Sequence, residues 1–354
     1  LNLVELYAPS RFRRVIAVSE QAEIRSHAVH YVRNGRAKWA RPLELPVEAH
    51  AVRILPPLEV QSPAYETNFR FPNFSNSLSL GTRTYLFDPD RPFRYQIYAR
   101  VSSDVDFGRG WGLTGSWIQN IANDFDGITR NSDSLLPRVR SDISTYLREG
   151  ESGVDRLVLT KRGSLSPSLH YQAFAGILEE MYGGVGVEAL YKPFGSSVAF
   201  GANVIYAQQR DFDRSLRFRD FETITGHMSA YWATPFYDFD VKLHAGRYLA
   251  RDWGVTLEIQ KELPNGWSVG VFASQTDVSA AEFGEGSFDK GLTLRIPLNM
   301  FTRTNTRSSY GTIIRPLQRD GGQRIEAWGT SLWGMHRSTT LDHLVATKAR
   351  MVPN

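Results

Sequence analysis

Six acidic residues are the positions of this sequence best suited to chemistry, because the hydrolysis of glycosidic bonds uses a pair of carboxylates. These residues are Asp211, Asp220, Asp252, Glu285, Asp289 and Asp320. All of them except Glu285 stand next to an arginine or a lysine in the sequence. A neighbouring cation favours the charged form of a carboxylate, so we interpret them first as charge-balanced turns or ion pairs. A sugar-binding surface and a glycosidase carboxylate pair are the two alternatives.

Other kinds of catalytic or metal site find less support in the residue types. The sequence contains no cysteine, which excludes a cysteine nucleophile and a thiolate-ligated metal. Its histidines show no metal-ligand spacing, although His27 and His30 lie three residues apart. The glycines around Glu285 do not follow the spacing of an EF-hand loop. We therefore expect no catalytic residue, no metal ion and no cofactor.

The elements that would position these residues are β-strands, because apolar residues recur with a period of two from residue 69 onward. The stretch 253–260 is an example, in which Trp253, Val255, Leu257 and Ile259 alternate with Gly254, Thr256, Glu258 and Gln260. Asn265-Gly266 is the strongest short signal for a hairpin turn between two such strands. The pattern continues to residue 335, with strands also predicted at 138–148 and 323–333, and it predicts a mainly β fold.

Two architectures fit an alternating sheet: a soluble sandwich with an apolar core and a transmembrane barrel with an apolar outer face. The barrel is favoured because the polar set is too hydrophilic for a sandwich core. Several apolar faces also end in an aromatic residue, at Tyr191, Tyr206, Trp253, Trp267 and Trp333, as membrane-interface girdles do. A membrane helix would need roughly 20 apolar residues, and the longest uncharged stretch, 193–209, contains Ser, Asn, Gln and Gly. We predict an antiparallel β-barrel of about 14–18 strands over residues 67–335.

The regions that flank the predicted barrel have a different character. Residues 1–66 are expected to form a small α/β module and a proline-rich linker. In that module Ser19–Arg36 has the apolar spacing of an amphipathic helix. Residues 336–354 are predicted to be a polar tail. The sequence starts without the features of a signal peptide, so we expect either that one has been removed or that the chain is part of a longer product.

Several strings of the second half resemble the YjbH/GfcD family of outer-membrane proteins, which are encoded with exopolysaccharide and capsule machinery. The most specific strings are GRYLARDWG at 246–254 and FGEGSFDKG at 283–291, and RDGGQR at 319–324 adds to them. The motif residues that we single out are Arg210, Asp211, Arg247, Asp252, Glu285, Asp289, Lys290, Arg319, Asp320 and Arg324. The likeness extends from about residue 171 to residue 324.

The resemblance implies an outer-membrane β-barrel that takes part in exopolysaccharide or capsule secretion, as a passage or as its scaffold. It further implies that the N-terminal module is periplasmic and faces a polysaccharide-export or co-polymerase component. The other partners would be outer-membrane lipid and polysaccharide. The net charge of +4 is too small to argue for nucleic acid. A general diffusion porin, a structural barrel and a barrel-borne enzyme that modifies polysaccharide are the alternatives.

Strand alternation assigns nine residues to the inner face of the predicted barrel. They are Glu188, Lys192, Asn203, Lys242, His244, Tyr248, Glu258, Gln260 and Arg295. A passage for polysaccharide should offer weak and repeated contacts, because conduction needs release as well as binding. These residues are therefore candidates for glycan contact. The alternative is that they only solvate the lumen or pair across strands.

Overall fold

The structure, a computed structural model, describes residues 14–21, 24–32, 52–55, 70–86, 91–128, 134–263, 266–283, 288–297, 309–315, 319–325 and 331–337. The described residues are mainly β. They form two antiparallel sheets, one of three strands and one of thirteen.

The three-stranded sheet consists of β1 (Arg14–Gln21), β2 (Ile24–Val32) and β3 (Val52–Leu55), in that order. The helix predicted over Ser19–Arg36 is therefore wrong, since β2 occupies its centre and pairs with both neighbours. The physical reason is that Ile24, Ala28 and Val32 are spaced by four residues, which fits a strand as well as a helix. In the described residues the predicted α/β module is accordingly a β module.

The thirteen-stranded sheet is a simple meander, in which every strand pairs with the next strand of the chain. Its first six strands are β4 (Asn73–Leu86), β5 (Phe93–Gly108), β6 (Trp111–Asn123), β7 (Gly153–Ser166), β8 (Leu169–Ile177) and β9 (Tyr182–Tyr191). Its last seven are β10 (Val198–Arg210), β11 (Phe218–Ala233), β12 (Phe239–Arg247), β13 (Trp253–Glu262), β14 (Ser268–Thr276), β15 (Asp289–Pro297) and β16 (Ser309–Ile314).

Thirteen strands in this sheet are fewer than the predicted 14–18, and within the described residues β4 and β16 do not pair with each other. One predicted strand, at 138–148, contains helix α1 (Ile143–Glu149) instead. The side chains of Tyr146 and Leu147 in this helix are buried. The strand predicted at 323–333 is also wrong, because helix α3 (Leu332–Arg337) begins there. Helix α2 (Ala280–Phe283) is a single turn, and none of the described helices is long and apolar enough to cross a membrane.

The distribution of polar and apolar side chains over the two faces of the large sheet is the reverse of that in a soluble protein, where the apolar face is buried. Along β11 the buried side chains are Thr223, Thr225, His227, Ser229 and Tyr231, whereas Ile224, Met228 and Trp232 are exposed. In β13, Trp253, Val255 and Leu257 are exposed and Thr256 is buried. The predicted alternation of an apolar outer face and a polar inner face is confirmed in these strands.

The sheet is strongly curved around its polar face. Adjacent strands lie about 4.8 Å apart, so a flat sheet would separate β4 from β8 by roughly 19 Å. Arg83 of β4 nevertheless donates a hydrogen bond from Nη1 to Oε1 of Glu180, just after β8, at 3.0 Å. In the other half of the sheet, Glu188 of β9 and Ile313 of β16 line one cavity. The polar side chains therefore point toward a concave interior.

Three segments fill part of this interior. The first is the connection between β6 and β7, which carries α1, and the other two are residues 319–325 and α3. Tyr146 of α1 and Ile325 belong to one buried cluster with Tyr182 and Leu249, so the first two segments pack on the same wall. Leu332 and Trp333 of α3 form a second cluster with Leu190 and Tyr231. The interior thus combines a polar wall with small apolar cores.

Glycine is required where β11 and β12 approach each other. A Cβ atom at Gly246 would lie 2.0 Å from the carbonyl oxygen of Gly226. We expect Gly246→Ala to lower the free energy of unfolding by about 1–3 kcal/mol, as overpacking does. Gly311→Ala in β16 is the control, because its Cβ would meet only Leu294 O at 3.9 Å. Chemical denaturation followed by tryptophan fluorescence measures both, and equal stability of the two variants would contradict the expectation.

Candidate functional site

The curved wall and the C-terminal segments line a partly open cavity of about 310 Å³, with both polar and apolar side chains in its lining. Five of the nine predicted inner-face residues line it: Glu188, Asn203, Lys242, His244 and Glu258. Asp289 and Arg324, which the family resemblance singled out, line it as well. The lining residues come from each strand from β9 to β16 and from residues 322–325 and 331–333. The structure therefore brings together residues that lie up to 145 positions apart in the sequence (Glu188 to Trp333).

Glu258 is the centre of the charge arrangement in this cavity. Its register partner in β12 is Lys242, whose Nζ lies 3.1 Å from the Glu258 carboxylate. Arg324 donates a hydrogen bond to the same carboxylate, and Nε2 of His244 lies 3.5 Å from it. Lys242 and His244 belong to the wall, whereas Arg324 belongs to the segment that crosses the interior. Glu258 thus fastens that segment to the sheet.

Two further carboxylates hold the segment 319–325. Asp252 accepts a hydrogen bond from the backbone N–H of Gly322 at 2.7 Å. Burial raises the pKa of the Asp252 carboxyl, and the Gly322 N–H acts in the opposite direction. Asp320 accepts hydrogen bonds from the backbone N–H groups of Arg140 and Ser141 and from the Ser141 hydroxyl. Asp320 therefore joins this segment to the connection that carries α1.

Helix α3 is held at three places on the wall. Glu188 accepts the backbone N–H of Leu332 at 3.1 Å, at the first residue of the helix. The ring of Trp333 stacks on Tyr231 with a centroid distance of 4.5 Å and an interplanar angle of 12°. Arg337 forms an ion pair with Asp240 at 2.8 Å. Trp333 was predicted to be an outer-face aromatic, and this is wrong because it is 5% exposed in the interior.

Arg210 is a structural brace and not a ligand site. Its side chain is fully buried. Its guanidinium donates hydrogen bonds to five backbone carbonyls, those of Val154, Glu179, Glu180, Arg214 and Ser215. A guanidinium presents five N–H donors in a fixed fork, which a lysine cannot replace. This residue joins the ends of β7, β8 and β10.

The four other predicted inner-face residues lie outside the cavity lining. Lys192 is buried and donates to the carbonyl of Ser196, and the Tyr248 hydroxyl shares a hydrogen bond with Thr256 at 2.6 Å. Gln260 donates to the Ser268 hydroxyl. Arg295 is half-exposed and lies 3.8 Å from Glu262. The polar groups of these four residues therefore have their partners within the protein and do not line the cavity.

The remaining motif residues are dispersed over the described structure. Asp211 lies 3.5 Å from Arg217. Arg247 donates to the Ile224 carbonyl at 2.9 Å. The Nζ atom of Lys290 lies 4.5 Å from the centre of the Phe288 ring. Arg319 is half-buried, and Glu285 lies outside the described residues. These residues do not converge on one place. By contrast, the contacts of Asp252, Asp320 and Arg324 hold the segment 319–325, and Asp289 and Arg324 line the cavity.

Two arrangements of serine that resemble hydrolase sites were not predicted from the sequence. Ser229 Oγ lies 2.7 Å from Nδ1 of His244, and Glu258 lies 3.5 Å from Nε2 of the same ring. The three residues are thus connected as in a hydrolase triad, but with the two ring nitrogens exchanged. Glu258 is also bound by Lys242 and Arg324, which weakens its effect on the imidazole. The string 266–270 (GWSVG) matches the G-x-S-x-G pattern. Its serine begins a strand and does not occupy the strand-to-helix turn that this motif requires.

The sequence carried a signal for only some of the other missed residues. His227 and Tyr231 follow from the alternation along β11, since they lie two and six residues after Thr225. Asp240 and Arg337 carried no such signal, because their pairing joins positions 97 residues apart. Within the described ranges, no group of three or more His, Cys, Asp or Glu side chains is placed to hold a metal ion.

Comparison with known proteins adds to this geometry. A family model described as "Exopolysaccharide biosynthesis protein YbjH" matches residues 4–337. The chain is also similar to the protein named "Uncharacterized lipoprotein YjbH" of Escherichia coli (strain K12), with 38% identity over 244 residues. That match covers 67% of this chain and 35% of the relative. The chain therefore spans about a third of the length of this curated relative.

The ion pair between Glu258 and Arg324 is testable by a double-mutant cycle. The side chains of these two residues are 22% and 26% exposed. We expect Arg324→Gln to cost roughly 2 kcal/mol of unfolding free energy, between the values for exposed and buried pairs. Glu258→Gln combined with Arg324→Gln should cost less than the sum of the two single changes, because each single change already removes the Glu258–Arg324 attraction, which the double variant loses only once.

The control for this cycle is Arg295→Gln, whose side chain is 51% exposed and lies 3.8 Å from Glu262. An exposed pair of this kind contributes about 0–1 kcal/mol. Urea unfolding measures the free energies, and hydrogen exchange reports whether residues 319–325 detach. Additive effects of the two single changes would contradict the role assigned to the pair.

Proposed function

The chain belongs to the YjbH family of exopolysaccharide biosynthesis proteins, and we propose that it is an outer-membrane β-barrel that takes part in exopolysaccharide secretion. One observation carries the proposal: along strands such as β11 and β13, the large sheet exposes apolar side chains and buries polar ones. A sheet with this polarity suits a lipid environment outside and a polar interior.

The outer face has the composition that a lipid-facing wall needs. Its exposed side chains include Val187, Val204, Leu243, Leu257 and Val271, which lie on β9, β10, β12, β13 and β14. Aromatic residues lie at strand ends, with Trp111 beginning β6, Tyr191 ending β9 and Trp253 beginning β13. Aromatic side chains are enriched at membrane–water interfaces. A membrane also requires a closed sheet, so the proposal includes the joining of β4 and β16, directly or through further strands.

The relative from E. coli is named a lipoprotein, which is consistent with an envelope location in a Gram-negative bacterium. We propose the same compartment for this chain. The sheet formed by β1, β2 and β3 would then be periplasmic, facing a polysaccharide-export or co-polymerase component. The lipid of the outer membrane and the polysaccharide itself would be the other partners.

The interior favours a controlled passage or a scaffold over a general diffusion porin. The segment 319–325 and helix α3 cross the polar face and are fixed to it through Glu258, Asp252 and Glu188. A general porin keeps a water-filled channel, whereas here these segments occupy interior space. We assign no catalytic step to the chain, and its polar wall would act through binding and positioning.

The lipid-facing role of the outer wall is tested by Leu257→Arg. Leu257 lies in the middle of β13 and is 41% exposed. An arginine at the bilayer midplane costs about 2–4 kcal/mol, so we expect a large loss of assembled protein in the outer membrane. Exopolysaccharide release by cells that depend on this chain should fall with it. Cell fractionation and protease resistance measure assembly.

Leu257→Met is the matched control, because it keeps an apolar side chain of similar volume at the same place. It should assemble and support secretion like the parent. The proposal fails if the arginine variant reaches the outer membrane as well as the methionine variant does, or if the parent chain fractionates elsewhere.

A further inference from the structure

We propose that the cavity binds a neutral saccharide unit, and that Asn203 and His227 are the residues that recognise its hydroxyl groups. This inference rests on the proposed function and deepens it by naming the class of sugar. The observation behind it is a pair of polar atoms that the wall leaves without a hydrogen-bond partner. Oδ1 of Asn203 and Nε2 of His227 are buried and have none among the described residues.

The two unsatisfied atoms belong to residues that face each other. Asn203 of β10 and His227 of β11 are register partners, and both line the cavity. His227 is 5% exposed, and its ring meets the ring of Tyr248 edge-on with a centroid distance of 4.8 Å, which restricts its orientation. Buried polar groups that lack partners cost free energy. A ligand that supplies a donor and an acceptor close together would satisfy both atoms.

Adjacent hydroxyl groups of a pyranose ring are such a ligand, since each hydroxyl both donates and accepts hydrogen bonds. The cavity volume of about 310 Å³ lies at the lower end of the range for small-molecule sites, which suits a single sugar unit. Tyr231, Phe272 and Trp333 contribute aromatic rings to the wall. Such rings provide an apolar surface for the C–H groups of a sugar.

The charges around the cavity indicate that the sugar is neutral. Its carboxylates already have partners: Glu258 pairs with Lys242 and Arg324, and Asp289 lies 3.6 Å from Arg315. Glu188 accepts hydrogen bonds from Gln172 and from the backbone of α3. A uronic acid would have to take a cation away from one of these carboxylates. A hydroxyl group can bind without taking a cation away from its carboxylate partner.

The test is direct binding of neutral and charged monosaccharides to the full chain in detergent micelles. D-glucose and D-galactose are the neutral probes and D-glucuronate is the charged probe, with saturation-transfer NMR and thermal unfolding as the measurements. We expect saturable binding of at least one neutral sugar and binding of glucuronate that is weaker by about tenfold. The bound sugar should raise the unfolding temperature.

Asn203→Leu and His227→Phe remove the unsatisfied atoms and keep the approximate side-chain shapes. Each should weaken binding of the neutral sugar by about tenfold. Neither should lower the unfolding temperature in the absence of sugar, because each removes an unpaired polar atom. A residue needed only for the fold would behave in the opposite way. Met228→Leu, on the outer face of the same strand as His227, is the control and should bind like the parent.

Several results would overturn the inference. One is the absence of saturable binding by both neutral sugars, which would mean that water alone fills the cavity. Another is binding that Asn203→Leu and His227→Phe leave unchanged, and a third is preference for glucuronate. Failure here is separable from failure of the proposed function. A chain that assembles in the outer membrane but binds neither sugar refutes the saccharide site alone. A chain that binds sugar but fractionates elsewhere refutes the membrane proposal.

Discussion

A charged or polar side chain that leaves water needs a partner, and the organisation of this molecule depends on that constraint. The large sheet turns its polar residues toward a concave interior, where water is limited. Glu258 meets the requirement with Lys242 from the neighbouring strand and Arg324 from a distant segment. Asp252 and Glu188 meet it with backbone N–H groups of inserted segments. The polar wall and the segments that cross it therefore stabilise each other.

The same constraint explains why the interior contains short helices and loops that a wall alone would not need. Helix α1, residues 319–325 and helix α3 bring backbone donors, cations and a few apolar side chains to the places where the wall is polar or recessed. Asp320 joins two of these segments through three hydrogen bonds with Arg140 and Ser141. Arg210 braces the ends of three strands through backbone carbonyls. Stability is thus shared between wall and filling, and opening the interior would require breaking several ion pairs and hydrogen bonds together.

The outer face and the inner face of the sheet support different parts of the proposed function. Family membership connects the chain with exopolysaccharide biosynthesis, and the apolar outer face supports the proposed membrane location of the sheet. The inner face combines paired charges, aromatic rings and two unsatisfied polar atoms around one cavity. Paired charges attract no strongly charged ligand, whereas unsatisfied polar atoms favour a ligand rich in hydroxyl groups. An interior of this kind suits contact with a sugar polymer better than unselective diffusion.

The sequence by itself determined most strands of the large sheet, the two faces of those strands and the family. A period of two is visible over a few residues, because neighbouring side chains of a strand point to opposite sides. Alternation therefore placed Glu188, Asn203, Lys242, His244 and Glu258 on the polar face, and the motif strings identified the family correctly.

Only the tertiary structure decided what covers that face. The spacing of Ile24, Ala28 and Val32 fits both a helix and a strand, and pairing with β1 and β3 selects the strand. Trp333 was expected outside, yet the chain folds back and stacks it on Tyr231. Arg324 and Glu258 are 66 residues apart, and Arg337 and Asp240 are 97 apart. Local pattern carries no information on such pairs, because they depend on which buried charge remains without a partner once the sheet has curved.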